Sequence, residues 1–323
     1  MNLLLTGATG FLGRQIAQAL IKGHIFHVTA AVRYSTETPA KRVVEITSLD
    51  ANTCWSSALT NQQVVIHTAA RAHIMKDEAS DPLSEYRKVN VDGTLNLALQ
   101  AAEAGVKRLI FISSIGVNGN INTRPFTEKS LPNPAGVDAK SKFEAEQGLW
   151  KIQQETGMEI VIIRPPLVYG PNAKGNFGSL LKWVEKGLPL PLGIINNKRS
   201  LVALDNLVDL IITCIDHPAA ANQIFLAGDG QDVSTTELLR GVAAAMGKPS
   251  RLIPVPVKLL TLGAALLGKK AVADRLLGSL QVDISKARNV LGWEPPVSVE
   301  EGLRRCFVEN NSSPAERAPT EGL

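Results

Sequence analysis

Short apolar runs alternate along this chain with longer segments whose apolar residues recur every three or four positions. Leu3, Leu4 and Leu5 form a run that fits a buried strand, and Phe11, Leu12, Ile16 and Leu20 then fall at helical spacing. Gly23 is a helix stop, and residues 26–32 read as a second strand. A third strand precedes Ser48 and Leu49. Residues 64–66 form a fourth, 82–105 are helical, 108–114 form a fifth strand and 159–164 a sixth. Buried strands separated by helices predict an α/β fold with a doubly wound, mostly parallel sheet. Beyond residue 166 the pattern changes. Gly175-Asn176-Phe177 opens a helix, 188–193 is a proline-punctuated loop, and 198–210 is expected to return to the sheet and run on into a helix. The expected division is therefore residues 1–166, with the late strand from 198–210 added, a smaller C-terminal α/β lobe over 167–309, and a polar tail over 310–323 that reads as disordered.

The first fifteen residues, M-N-L-L-L-T-G-A-T-G-F-L-G-R-Q, read as strand, tight turn and helix. Gly7 can take the turn, Gly10 lets backbone approach a diphosphate, and Gly13 allows the helix to pack closely on the strand. The helix N-terminus adds open N–H groups and the positive end of its dipole. The spacing G-x-x-G-x-x-G alone is a weak signal, and the strand before and helix after make it strong. The second strand ends Ala30-Ala31-Val32-Arg33, without the carboxylate that accepts both ribose hydroxyls of NAD. Arg33 suits a 2′-phosphate, which favours NADP(H) with NAD(H) possible; the alternative is a solvated surface arginine.

Composition narrows the partners. The 323 residues are 45% apolar and 20% charged, with a net charge of +4 carried by scattered basic residues, a pattern that gives nucleic-acid binding little support. Cys54, Cys214 and Cys306 are odd in number and in no metal-type spacing, so they read as reduced thiols of a cytoplasmic protein with no metal site. A core strand beginning at Leu3 leaves no room for a signal peptide, and the longest apolar helix candidate, 257–267, is too short to cross a bilayer, so no membrane insertion is expected.

The run Thr6 to Gly13 matches T-G-A-x-G-F-x-G and resembles the extended short-chain dehydrogenase/reductase family, which implies a Rossmann fold. The resemblance implies cofactor contacts at Gly7, Thr9, Gly10, Phe11 and Leu12. It implies adenine contacts at Ser48 and Leu49, although relatives usually carry aspartate where Ser48 stands. His67-Thr68-Ala69-Ala70 is similar to the H-x-A-A segment, where small Ala69 and Ala70 let the cofactor lie flat, and His67 reads as a structural histidine. Asn90, in V-N-V-D-G-T, matches the asparagine that holds backbone near the active site. Ser114 aligns with the catalytic Ser/Thr, with Ser113 as its competitor, and Pro165 faces the nicotinamide end.

The family signature is Tyr-x-x-x-Lys on a helix. Residues i and i+4 share a face, so the ammonium sits beside the phenol and lowers its pKa. Here the segment reads A-G-V-D-A-K-S-K-F-E-A-E. Ser141, Lys142, Ala145 and Glu146 match, and Asp138 stands where the tyrosine belongs. A carboxylate accepts a hydrogen bond but donates no proton, which weakens a proton transfer typically worth ~10²–10⁴ in rate. Three readings stay open: an inactivating substitution, protonation through water, Ser114 or Lys142, or a catalytically silent nucleotide or nucleotide-sugar binder.

In the second half, R-P-P-L-V-Y-G-P (164–171) resembles the extended-family turn, with Tyr169 either a packing residue or a substitute proton donor. Asn176 and Phe177 match residues that grip UDP in nucleotide-sugar epimerases. Arg199 falls where relatives pair an arginine with the UDP diphosphate, and Arg275 is a weaker second candidate. D-x-S-K-A-x-x-x-L-G-W (283–293) is characteristic of the extended enzymes. The resemblance covers about residues 1–307. It is closest to the UDP-glucose 4-epimerase-like branch, whose members act at C4 of UDP-sugars, including UDP-N-acetylhexosamines for surface polysaccharide, as 4-epimerases or 4-keto reductases. Arg33 tilts the expectation slightly toward a reductase. A homodimer through the helices carrying Asn90 and Lys142 is usual among relatives.

Overall fold

The computed structural model describes residues 1–23, 26–34, 37–72, 79–173 and 175–307, so the expected tail at 310–323 lies outside the described residues. β1 (Asn2–Thr6) leads into α1 (Phe11–Lys22), and β2 (His27–Val32), β3 (Arg42–Glu45), α2 (Ser56–Leu59) and β4 (Val64–His67) follow. Next come α3 (Pro82–Arg87), α4 (Gly93–Glu103), β5 (Arg108–Ile112), α5 (Val137–Thr156) and β6 (Glu159–Arg164). The expected single helix over 82–105 is two helices joined by a π-helical turn, Lys88–Asp92. That wide turn brings Asn90 into the interior.

β1 to β6, joined by β9 (Gln223–Leu226), form one parallel sheet of order β3-β2-β1-β4-β5-β6-β9. The chain therefore reverses its direction of winding between β1 and β4, and the carboxyl ends of all these strands share one edge. Alternation sorts the apolar side chains. Leu3, Leu5, Ile110 and Ile112 face a core completed by Ile16 and Leu20 of α1. Leu4, Leu109 and Phe111 face the opposite core with Leu97 of α4 and Leu149 of α5.

The second lobe holds β7 (Leu167–Tyr169), α6 (Gly175–Glu185), β8 (Arg199–Ala203), α7 (Leu204–Asp216), β10 (Asp232–Val233) and α8 (Thr235–Ala245). α9 (Val257–Leu266), α10 (Lys270–Leu277), α11 (Ser285–Leu291) and α12 (Val299–Arg305) complete it. Here the expectation for 198–210 is corrected. β8 does not extend the large sheet; it lies in a three-stranded sheet, parallel to β7 and antiparallel to β10, and β9 takes the edge place beside β6. Pro165 and Pro166 explain the split: without N–H groups they end the β6 ladder, and the run after them pairs elsewhere. α7 still packs on the large sheet, with Leu207, Leu210 and Ile211 in the same core as Leu3 and Leu5.

The glycine turn tolerates little else. Gly7 has φ of +73°, and a Cβ on Gly13 would lie 2.1 Å from the Gly7 carbonyl oxygen. Gly13→Ala should therefore destabilise the chain by ~3 kcal/mol, the upper range of overpacking. Gly263→Ala, in α9 with nothing within 4 Å, should raise stability by ~0.5–1 kcal/mol. Denaturant midpoints of the two variants compare them directly.

His67 ties the switch point together. Its Nδ1 lies 2.7 Å from Thr6 Oγ1 of β1 and its Nε2 2.9 Å from Thr94 Oγ1 of α4, and the ring stacks on Phe111. Complete burial, helped by the nearby Lys142 charge, lowers its pKa to about 3. The unfolded chain takes up this proton near pH ~6.5 and the folded one resists it, so stability is whole above that pH and is lost as pH falls toward 3. The slope should approach ~1.4 kcal/mol per pH unit and should flatten in His67→Gln, as measured by urea midpoints between pH 4 and 7.

Candidate active site

The carboxyl edge of the sheet assembles three groups of residues. The first is the turn after β1. Gly10 N donates to Gly7 O at 2.9 Å, and Gly10 caps α1 without any side-chain hydrogen bond. The first turn of α1 carries no acidic residue, so its N–H groups stay available to an anion. Thr9 and Gly10 are exposed; Phe11 and Leu12 are half-buried. A Cβ on Gly7 would fall 2.8 Å from Ala69 N, so the end of β4, with half-buried Ala69 and Ala70, passes against the turn. This all-backbone cradle fits the diphosphate of a dinucleotide. Ser48 and Leu49, half-buried beyond β3, stand at the same edge, with Ser48 Oγ 3.2 Å from Thr53 Oγ1. Arg33 is exposed at the end of β2.

The second group lies between β5 and α5. Lys142 is buried, and its Nζ donates to the carbonyl of Ile112 at 2.8 Å while resting 5.0 Å above the Phe111 ring. Burial lowers its pKa, and the charges of Asp138 and Glu146 pull it back upward. Ser113 and Ser114 separate clearly. Ser113 is buried and donates to Glu146 Oε1 at 2.5 Å, so it serves the interior. Ser114 is half-buried; it accepts from Gly116 N at 3.1 Å and keeps its own proton to donate. A Cβ on Gly116 would come within 3.3 Å of Ser114 Oγ and 3.2 Å of Ala139 Cβ. This close approach puts Ser114 against the first turn of α5, where half-buried Asp138 sits one turn before Lys142.

Asn90 fastens this turn to the end of β4. Its amide accepts from Arg71 N at 2.8 Å and donates both to Arg71 O and to Ser141 Oγ, each at 3.0 Å; Ser141 Oγ in turn donates to the Asp138 carbonyl at 2.8 Å. Buried Pro165 accepts from Ile115 N at 3.0 Å, which joins the ends of β5 and β6.

The third group belongs to the second lobe. Arg199 is half-buried and donates to Gly278 O at 3.2 Å, just past the end of α10, which carries exposed Arg275. The loop following Ser114 runs alongside, with Asn122 N donating to Ser279 O at 3.0 Å and Phe126 N to Gln281 O at 2.9 Å. The two arginines and the Ser114 loop thus flank the same stretch of chain. Asn176 is exposed at the start of α6.

One expectation needs correction and one alternative is resolved. Phe177 does not offer its side chain to a ligand: it is fully buried, its ring 5.6 Å from that of Tyr169. With Leu180 and Val184 it forms the buried stripe of α6, a spacing already visible in the sequence. Tyr169 is the packing residue of its two alternatives. It is fully buried and donates to Asp229 Oδ2 at 2.8 Å, with its pKa pushed up by burial and by the Asp229 charge. Of the remaining tyrosines, Tyr86 is buried beneath Arg71 and Tyr34 is exposed beyond β2.

Sequence reasoning overlooked the buried ion pair behind the site. Glu146 pairs with Arg164, and Arg164 also donates to Asn118 Oδ1 at 3.1 Å. A signal existed, since Asp138, Lys142 and Glu146 are each four residues apart and so share a helix face.

Residues 3–228 match the model of the NAD dependent epimerase/dehydratase family. A UDP-glucose 4-epimerase of Vibrio cholerae is 48% identical over 317 residues, which cover 96% of this chain and 97% of that protein. An N-acetyl-alpha-D-glucosaminyl-diphospho-ditrans,octacis-undecaprenol 4-epimerase of Escherichia coli O157:H7 is 28% identical over 95% of this chain and 94% of its own. The crystal structure of UDP-glucose 4-epimerase with UDP-glucose from Thermotoga maritima shares the fold at a TM-score of 0.75 and 23% identity, covering 95% of this chain and 97% of that one. On the glycine turn, the parallel sheet and the match over 3–228, this chain belongs to the NAD dependent epimerase/dehydratase family.

Proposed function

We propose that this chain binds a nicotinamide dinucleotide and transfers hydride at C4 of a UDP-sugar, a UDP-hexose or UDP-N-acetylhexosamine, as a 4-epimerase. The observation that carries the reading is the convergence of Ser114, Asp138 and Lys142 at the end of β5, on the edge that also holds the glycine turn. The Vibrio cholerae relative supports the choice of epimerase over 4-keto reductase. A place in surface polysaccharide synthesis, in the cytoplasm and as a homodimer through the Asn90 and Lys142 helical segments, belongs to the same reading.

A nicotinamide bound on this edge would supply the acceptor and donor of the hydride at C4. The chain supplies the rest. The turn from Gly7 to Leu12 holds the diphosphate, and Ala69, Ala70 and Pro165 line the path of the cofactor. Ser48 and Leu49 border the adenine end. Ser114 donates to the C4 oxygen. Lys142, with one donor committed to Ile112, has two more for ribose hydroxyls and places positive charge beside the reacting oxygen. Arg199 and Arg275 are the cations for the UDP diphosphate, and Asn176 faces the nucleotide.

Asp138 is the weak member. A carboxylate is a poor base toward an alcohol and, ionised, has no proton to give back. Asp138→Tyr should raise kcat for interconversion of UDP-glucose and UDP-galactose by ~10²–10⁴. Equal rates in the two proteins would mean that another group moves the proton. Asp138 in place of the family tyrosine also favours a second reading, a silent nucleotide-sugar binder, which saturable binding of UDP-glucose without turnover in the wild type would support.

Arg33, exposed where the family usually keeps a carboxylate, is proposed to receive a 2′-phosphate, with NADP(H) favoured and NAD(H) possible. In Arg33→Ala, NADP should bind roughly tenfold more weakly while NAD binding is unchanged, as read by calorimetric dissociation constants. A preference for NAD that ignores this substitution would remove Arg33 from the cofactor site.

A further inference from the structure

Helix α9 contains no buried residue. Leu259, Leu262 and Leu266 are three and four residues apart and share one face, and that face looks outward: they are 59%, 58% and 80% exposed. Leu267, at the corner before α10, is 73% exposed. Leu260, on the opposite side of the helix, is the half-buried residue that packs on the core of the second lobe. Amphipathic helices of water-soluble domains place their leucines the other way round. Ahead of the helix, Gly193 N donates to Ile253 O, and both Ile253 and Ile194, the neighbour of Gly193, are exposed.

The stretch that carries this face is strongly basic. Residues 248–275 contain Lys248, Arg251, Lys258, Lys269, Lys270 and Arg275 against the single acid Asp274. Exposed Lys258 and the exposed Lys269-Lys270 pair bracket the leucines at the two ends of α9. Two copies of such a face would bring like charges together, which disfavours self-association. An apolar strip between lysines instead complements anionic headgroups above an acyl layer, where lysine stems lie along apolar surface and keep their ammonium groups at the phosphates.

We propose that α9 and the α9–α10 corner dock the protein on an anionic lipid surface. Leu259, Leu262, Leu266 and Leu267 enter the acyl boundary, and Lys258, Lys269 and Lys270 meet the lipid phosphates. The helix lies in the interface and does not cross it, in keeping with the absence, among the described residues, of any helix long and apolar enough to span a membrane. α10 follows directly and leads to Gly278, which Arg199 holds, so the docked face adjoins the arginine side of the candidate site. The inference rests on exposure and charge alone and stands apart from the proposed reaction.

Co-sedimentation of the full chain with vesicles of phosphatidylglycerol mixed with phosphatidylcholine tests it, with pure phosphatidylcholine vesicles as the comparison. The protein should partition onto the anionic vesicles and leave them as salt is raised. Leu262→Ser/Leu266→Ser, which changes no charge, should weaken partitioning by about tenfold. Lys258→Gln/Lys269→Gln/Lys270→Gln should weaken it by about a hundredfold and reduce the salt dependence. Every substituted side chain is exposed, so circular dichroism and thermal midpoints should match the wild type. No partitioning onto anionic vesicles at low salt, or equal partitioning of wild type and the leucine variant, would overturn the proposal. So would a fall in solution mass of the leucine variant, which would assign the face to a second copy of the chain.

Discussion

The candidate site depends on the buried pairing of Glu146 with Arg164. Both side chains are almost inaccessible to water, at 2% and 3% exposure, and a charge so placed is tolerated only when its partner and remaining hydrogen bonds are supplied. Glu146 also accepts from Ser113, and Arg164 also donates to Asn118. The ends of β5 and β6 and one face of α5 are thereby locked in a single orientation. Removing one partner would leave an uncompensated charge, typically a loss of ~3–5 kcal/mol. One turn before Glu146, the locked helix presents Lys142 to the Ile112 carbonyl; one turn earlier again stands Asp138, next to the Ala139 that packs against the Ser114–Gly116 turn.

The nucleotide half of the site is rigid by a different means. Gly7, Gly13 and the Thr6–His67–Thr94 chain use close backbone approach and neutral hydrogen bonds rather than charge. A neutral, enclosed histidine leaves the positive field at the switch point to Lys142 and the N-terminus of α1. That suits a region built to hold an anion, because no nearby carboxylate competes in the first turn of α1. The Asn90 clamp then couples the two halves, since the amide that holds Arg71 backbone after β4 also holds Ser141 of α5.

Asp138 changes the balance of this arrangement without disturbing its frame. The groups that position the first turn of α5 act through Ser141, Lys142 and Glu146, and none of them needs a phenol at residue 138. A substitution at that place can therefore alter proton transfer while leaving the cradle and the cleft intact. The second lobe is similarly independent, with its own core around Phe177, Leu180, Leu201 and Leu239. It meets the sheet through Leu207 and Ile211 of α7 and Leu291 of α11, which share the core of Leu3 and Leu5, and through the small cluster of Ile115, Leu226 and Leu280.

Much of this was legible in the residues alone, because the features concerned are local. Apolar runs of β1 to β6, the glycine turn and the four-residue rhythm of Asp138, Lys142 and Glu146 need only neighbours in sequence to be read. The burial of Phe177 went unread, although its spacing with Leu180 and Val184 marks a core stripe. What the chain order could not reveal are choices between distant partners. The run Arg199–Ala203 is apolar enough for either sheet, and only the folded molecule pairs it with β7 and β10 and gives β9 the edge beside β6. Ser113 and Ser114 are chemically equal neighbours until strand alternation turns one toward Glu146 and the other toward the cleft. The leucines of α9 satisfy a core pattern on paper, and packing alone decided that Leu260 faces the lobe while Leu259, Leu262 and Leu266 face outward. Local sequence specifies which segments bury apolar surface, whereas the partner of each buried surface is set by contacts made across the whole fold.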